Sequence, residues 1–238
     1  MLTPITFLEK DYYSSFNEWI QLYPDLDIHS KPEHLDRIQE LIIEDNDVGL
    51  AYYFSFFVGY KLYKMQQVIL NAKNPAYAFL FASTIPNADI KRLQNVVDTS
   101  KNIKYQTKFV CEVNGAKRGK IEKLVVKNQN GKCAYWLLRR FGKISKATKE
   151  LLFSSGRPRF LYELAKQGLT NNDELATIED LIIASGSSTY IRLLACNVKG
   201  ANIDKMEDAI LATKDMKQIK KFANSVKGSK LAKMKILF

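Results

Sequence analysis

Lys64-Met65-Gln66-Gln67-Val68-Ile69, Arg92-Leu93-Gln94-Asn95-Val96-Val97, Lys120-Ile121-Glu122-Lys123-Leu124-Val125 and Lys205-Met206-Glu207-Asp208-Ala209-Ile210 lie over one another residue by residue. Phe81-Ala82, Phe109-Val110 and Phe222-Ala223 follow sixteen residues after Met65, Leu93 and Met206, and Leu194-Ala195 stands in the same relation to Ile178. Repetition at a fixed period of about 28 residues is the mark of a solenoid. It directs attention to an extended binding surface rather than to a catalytic pocket.

Extended outward, the register takes Ile38, Met65, Leu93, Ile121, Thr148, Ile178, Met206 and Met234 as anchors. Apolar residues recur three before each anchor (Leu35, Leu62, Ile90) and three and four after it (Val68/Ile69, Leu124/Val125, Leu181/Ile182), which is one face of an α-helix. Turn-forming residues follow at Asn71 to Asn74, Asn128 to Gly131 and Ser185-Gly186. A second helix is predicted to open on an aromatic twelve residues past the anchor (Tyr77, Tyr105, Phe160, Tyr190). It closes on Asn114-Gly115, Lys199-Gly200 or Lys227-Gly228, with Pro86 expected to take that place in one unit. Such short helices bury an apolar face only by stacking on their neighbours. The fifth unit departs most, with Ala147-Thr148 at its anchor, and the sixth has a longer entry loop at Gly168 to Asp173. Residues 1–33 fall outside the register. Thr6-x-x-Glu9 and Ser30-x-x-Glu33 are capping-box strings, and Phe7 to Tyr23 reads as an aromatic-rich capping helix.

The expected fold is therefore all-α: an α-solenoid of about seven helical hairpins over 34–238, one continuous unit, with an N-terminal helical cap over 1–33.

Composition narrows the function. The chain has 238 residues, of which 46% are hydrophobic, so disorder is not expected. No apolar run reaches the roughly 20 residues of a membrane span. Cys111, Cys133 and Cys196 fit neither a disulfide framework nor a zinc site and suggest a reducing, cytoplasmic setting. The net charge of +11 is unevenly spread. Residues 1–50 hold 3 Lys/Arg against 11 Asp/Glu, whereas residues 100–169 hold 17 against 4. An acidic head and a basic middle guide encounter with polyanions or acidic proteins. The acidic N-terminal part also suits a basic partner or another copy of the chain, head to tail.

Catalytic and metal-binding constellations are not recognisable. His29 and His34 flank Ser30-Lys31-Pro32, which reads as a loop, and neither a phosphate loop nor a nucleophile motif is present. No enzyme activity, cofactor or metal is expected.

The basic residues separate into two ladders. Arg37, Lys64, Arg92, Lys120, Lys205 and Lys233 precede their anchors and read as seam-covering side chains. The second ladder is concentrated in the middle units and lies opposite the apolar stripe of the second helix. It comprises Lys104, Lys132 and Arg159 (with Lys217), Lys108 (with Lys221), and Arg139 and Lys166; Arg140, Arg157, Lys143 and Lys146 adjoin it. Trp136, Tyr135, Phe141 and Tyr162 are interleaved with it. Cations at a regular pitch suit a phosphate backbone, and exposed aromatics suit base stacking. Arginines fork equally well onto carboxylates of an acidic protein, and a solvated basic face is the plainest alternative. The expectation is a non-catalytic protein whose residues 100–169 engage nucleic acid or a nucleoprotein. The alternative is a protein-interaction module or phage-encoded inhibitor docking on an acidic surface.

The strings at 194–201, 205–210 and 222–229 resemble those of helical-repeat proteins of tailed phages and giant viruses and, more broadly, short HEAT-type repeats. The resemblance covers about 34–238; it implies the solenoid and a viral origin but no activity. Some DNA glycosylases for alkylated purines are also built from HEAT-like repeats, with an acidic residue on a basic face. Glu163 shares its slot with Trp136 of the preceding unit, which makes such an enzyme a remote alternative. A simpler expectation is an i, i+4 ion pair between Arg159 and Glu163.

Overall fold

The computed structural model describes Phe16, residues 18–22 and residues 32–231. Among these, the long elements are helices: α1 (Pro32–Asp45), α2 (Val48–Phe57), α3 (Leu62–Ala72), α4 (Pro75–Thr84), α5 (Ile90–Thr99), α6 (Ile103–Glu112), α7 (Ile121–Lys127), α8 (Gly131–Phe141), α9 (Lys146–Ser154), α10 (Pro158–Lys166), α11 (Asn172–Ala184), α12 (Ser188–Asn197), α13 (Ile203–Ala212) and α14 (Met216–Ser225). Their contacts divide the chain into two compact units, Met1–Ile121 and Glu122–Phe238. The division falls within the stretch that the sequence reads as one continuous solenoid. None of the described helices is long and apolar enough to cross a membrane.

Both units share one plan. Odd-numbered helices (A) and even-numbered helices (B) form hairpins. In the first unit A packs on A (α1 on α3, α3 on α5) and B on B (α2 on α4, α4 on α6). In the second unit α11 packs on α13, and α8, α10, α12 and α14 pack in succession. Within each unit the B helices also contact the A helices that follow them, as α2 does α3 and α12 does α13. This two-layer stacking is the solenoid expected from the period.

The period works because it places the same side chains inward each time. Ile42, Ile69, Val97, Val125, Leu152, Ile182 and Ile210, four residues after their anchors, are 0% exposed. So are Phe54, Phe81, Phe109, Leu137, Leu164, Leu194 and Phe222, sixteen after. Even the polar anchor Thr148 is fully buried, its hydroxyl 2.9 Å from Ser145 Oγ. Truncating such a residue to Ala costs about 2–5 kcal/mol.

The turns repeat as well. Asn46, Lys73, Lys101, Gln129, Gly156, Gly186 and Lys214, each eight past its anchor, have φ between +49° and +65°. The next residue caps the B helix. Asp47, Asn74, Asn102, Asn130 and Asp215 accept backbone N–H groups of the first turn, while Pro158 opens α10 after Arg157. The B helices thus begin two residues before the aromatic that was expected to open them. At the far end Gly115, Gly200 and Gly228 have φ near +85°. In the hairpin of α3 and α4 that left-handed place belongs to Asn87 (φ +58°), not Pro86.

A polar stitch joins successive hairpins. The residue after each anchor, from Ile38 to Met206, reaches the loop that follows the next B helix or the start of the A helix after it. Gln39 Nε2 donates to the Tyr60 carbonyl (2.7 Å), and Gln66 Oε1 accepts from Asp89 N (2.9 Å). Gln94 both accepts from Lys117 N and donates to its carbonyl. In the second unit Glu122 accepts from Ser145 N, Glu179 from Asn202 N, and Glu207 from Ser229 Oγ, Lys230 N and Leu231 N. The fifth hairpin inverts the arrangement: Lys149 Nζ donates to Glu174 Oε2 (2.7 Å), which also accepts from Asn171 N.

The seam-covering reading of the first basic ladder matches the contacts of three of its members, whereas Arg37 pairs with Glu40 and Glu44 on its own helix. Lys64 lies 4.0 Å from Asp36, Arg92 donates to Gln67, and Lys205 pairs with Glu179 and Asp180. Of the N-terminal cap, Phe16 is buried against the Phe57 ring and Trp19 Nε1 donates to Asp45. The capping-box strings, the remainder of the Phe7 to Tyr23 helix, Lys233 and Met234 lie outside the described residues.

Removing the stitch at its most heavily used position, Glu207→Ala, leaves three donors without an acceptor. It should lower unfolding stability by about 2–3 kcal/mol in urea melts. Glu207→Gln keeps one of the two acceptor oxygens in use, so it should cost less than Glu207→Ala but still about 1 kcal/mol or more. At the turns, Lys101→Gly relieves left-handed strain and should stabilise by up to about 1 kcal/mol, whereas Gly186→Ala should destabilise by about as much.

Candidate nucleic-acid interface

The layers differ in charge. The A helices and the loops entering them carry both signs and hold the ion pairs: Lys61–Asp36, Lys146–Glu150, Lys149–Glu174, Lys205–Asp180 and Lys230–Asp204. The B helices carry only two carboxylates, Glu112 and Glu163. Against these stand Lys104 and Lys108 on α6, Lys132, Arg139 and Arg140 on α8, Arg159 and Lys166 on α10, Arg192 on α12, and Lys217, Lys220 and Lys221 on α14. Among the described residues none of these cations has a carboxylate within ion-pair distance.

Five of these cations, and Arg157 just before α10, rest on aromatic rings instead. In the first unit Lys104 Nζ lies 5.7 Å from the Tyr105 centroid and Lys108 Nζ 5.4 Å from that of Phe79, one repeat back. In the second unit Lys132 lies 5.4 Å from Trp136, Lys166 5.9 Å from Tyr162 and Arg157 5.5 Å from Phe160. Arg159 Cζ is 4.8 Å from the Tyr135 centroid, and its Nε donates to Tyr135 Oη at 2.8 Å. That bond holds the Arg159 pKa above its ordinary value, against the opposing effect of partial burial. Tyr135 and Phe160 stack at 4.9 Å and 22°. Beside them Tyr162 contacts Tyr190 and accepts a hydrogen bond from Asn197 Nδ2. Burial pushes the Tyr190 phenol up in pKa, and the nearby Arg159 charge partly offsets this.

Two expectations change. Tyr135, Phe160 and Tyr162 are buried and serve as platforms for cations rather than as open faces for bases; Trp136 is half-buried beside Lys132. A period of 28 residues gives the helical face, but not which side chain covers which. Nor do Arg159 and Glu163 pair within their helix: Arg159 turns to Tyr135 of the preceding hairpin, and buried Glu163 accepts from Gln167 Nε2 at 3.1 Å.

Of the predicted residues, Lys104 and Lys108 belong to the first unit, and Lys132, Trp136, Arg139, Arg140, Arg157, Arg159 and Lys166 to the second. Within the second unit Lys132 and Arg157 line one open cleft of about 580 Å³ with Asn130, Gly131, Ser155 and Phe160. Arg139 and Arg140 are exposed on the last turn of α8. Lys146 is drawn instead to Glu150 on its own A helix. Sequence reasoning missed Phe79 and Phe160 as cation platforms; the available signal was the recurrence of aromatics within one helical turn of the basic positions. No group of three or more His, Cys, Asp or Glu suited to a metal occurs among the described residues.

Comparison with protein-family models, curated proteins and solved structures found no match to this chain. The stacked hairpins stand on the geometry alone.

Glu112 is the acid of the first unit's B layer, and burial raises its pKa against the opposing pull of Lys108. The folded state therefore favours its protonated form, and stability falls as pH rises from the ordinary glutamate pKa through the raised one. Glu112→Gln should raise the urea midpoint at pH 7, and the gain should vanish near pH 4.

Proposed function

We propose that the B-helix cations bind phosphate within each unit, those of the second unit forming the larger group, and that the protein is a non-catalytic nucleic-acid- or nucleoprotein-binding module. The observation that carries this reading is a difference in partners: Lys149 and Lys205 on the A side pair with carboxylates, whereas Lys132, Arg159 and Lys166 on the B helices lie on aromatic rings with no carboxylate within ion-pair distance among the described residues. A cation that has no partner and is kept from folding back on the protein loses least when it meets a phosphate. Since the neighbouring rings are already covered, backbone contact dominates and base preference is weak.

The resemblance of the repeat strings to those of HEAT-type repeat proteins of phages and giant viruses supports a viral origin as part of this reading. The three free cysteines support a reducing, cytoplasmic setting. Docking on an acidic protein draws on the same guanidinium chemistry and is the reading that remains if nucleic acid is not bound.

Binding to a random-sequence duplex, followed by fluorescence anisotropy, should weaken with salt with a log–log slope of about −3 or steeper, corresponding to roughly four phosphates. The triple variant Lys132→Glu/Arg139→Glu/Lys166→Glu should lose about a hundredfold or more in affinity. Absence of binding at about 50 mM salt would refute the proposal.

A further inference from the structure

Arg159 differs from the other cations of its face. Its guanidinium is fixed twice, by the ring of Tyr135 at 4.8 Å and by the Nε–H bond to the Tyr135 hydroxyl at 2.8 Å. Tyr135 is itself immobilised, being 5% exposed and stacked on Phe160. Phe160 in turn carries Arg157 at 5.5 Å. The stacked ring pair therefore bears one guanidinium on each ring, and both arginines come from the start of α10. The Nε–H of Arg159 is occupied while its two terminal nitrogens make no hydrogen bond to the described residues, and Glu163 one turn on is engaged by Gln167. A planar guanidinium tethered through Nε presents its terminal N–H groups in a fixed fork, which matches two oxygens of a tetrahedral oxyanion. Arg157 and Lys132 line the neighbouring cleft, which has no carboxylate among its lining residues.

We propose that the Tyr135–Phe160 stack is the pedestal of a two-arginine clamp, in which Arg159 grips one phosphodiester bidentately and Arg157, with Lys132, receives the adjoining backbone in the cleft. This rests on the nucleic-acid reading above and makes it specific: one phosphate is held by geometry, the others by charge alone. Lysine and arginine are interchangeable for the second kind of contact and not for the first.

The test uses the full chain and a random-sequence duplex of about 20 base pairs at fixed salt. Arg159→Lys keeps the charge and loses the fork; its affinity should fall about tenfold while the salt slope stays as in the wild type. Tyr135→Phe keeps the ring and removes only the tether; a fall of about threefold is expected, with an unfolding midpoint that shows the variant folded. Lys91→Ala, on an A helix, should bind as the wild type does. The Arg159 Nε–H resonance should be protected from exchange in the free protein, and the terminal N–H signals should shift when duplex is added. An Arg159→Lys variant that binds within about twofold of the wild type overturns the clamp while leaving the phosphate-binding face intact. A wild-type protein that binds no duplex removes both.

Discussion

Everything in this fold depends on a hydrogen bond made between hairpins rather than within them. A helix of about ten residues has little stability alone, and each hairpin must lock to the next at a defined offset. Apolar burial holds neighbours together but tolerates sliding. The side chain after each anchor sets the offset, because it satisfies backbone groups at the entrance to the next A helix. Gln66 to Asp89, Gln94 to Lys117, Glu179 to Asn202 and Glu207 to Leu231 repeat at 23 or 24 residues. Where the partner loop lengthens, at Gly168 to Asp173, the charge is exchanged: Lys149 donates and Glu174 accepts. The bond has been inverted, not abandoned.

This lock also accounts for the division of charge. Carboxylates and amides are needed along the A side, where they cap incoming helices and pair with the basic residue that precedes the next anchor. The B helices have no such duty. Their N-termini are capped by a residue of the preceding turn, so their outward positions are free to accumulate one sign of charge. Concentrated positive charge is self-repelling. Its persistence on α8 and α10, where Lys132, Arg159 and Lys166 rest on rings, and on α14 is the part of the molecule that folding alone does not explain.

Much of this was legible in the sequence. The anchors, the buried positions four and sixteen residues on, and the separation of the lysines into two ladders all follow from counting residues. The stitch was visible as Gln or Glu recurring after the anchor, although spacing alone did not show what it held. Three features were hidden for physical reasons. Lys73, Lys101 and Lys214 adopt left-handed backbone, and lysine is not a turn-forming residue. Asn87 takes the helix-ending role that Pro86 was expected to fill, because proline cannot adopt a positive φ. Arg159 stands four residues before Glu163 yet bonds across to Tyr135, since a long side chain follows the neighbouring helix rather than its own. The same cause turned expected base-stacking aromatics into supports for cations.

The two helical layers have different work, A for stacking and, on the proposal above, B for phosphate. Mapping amide chemical-shift changes on titration with duplex DNA addresses this division directly. The changes should concentrate on α6, α8, α10 and α14, with α3, α5, α11 and α13 unmoved. Changes centred on the A helices, or an unaltered spectrum at low salt, would contradict it.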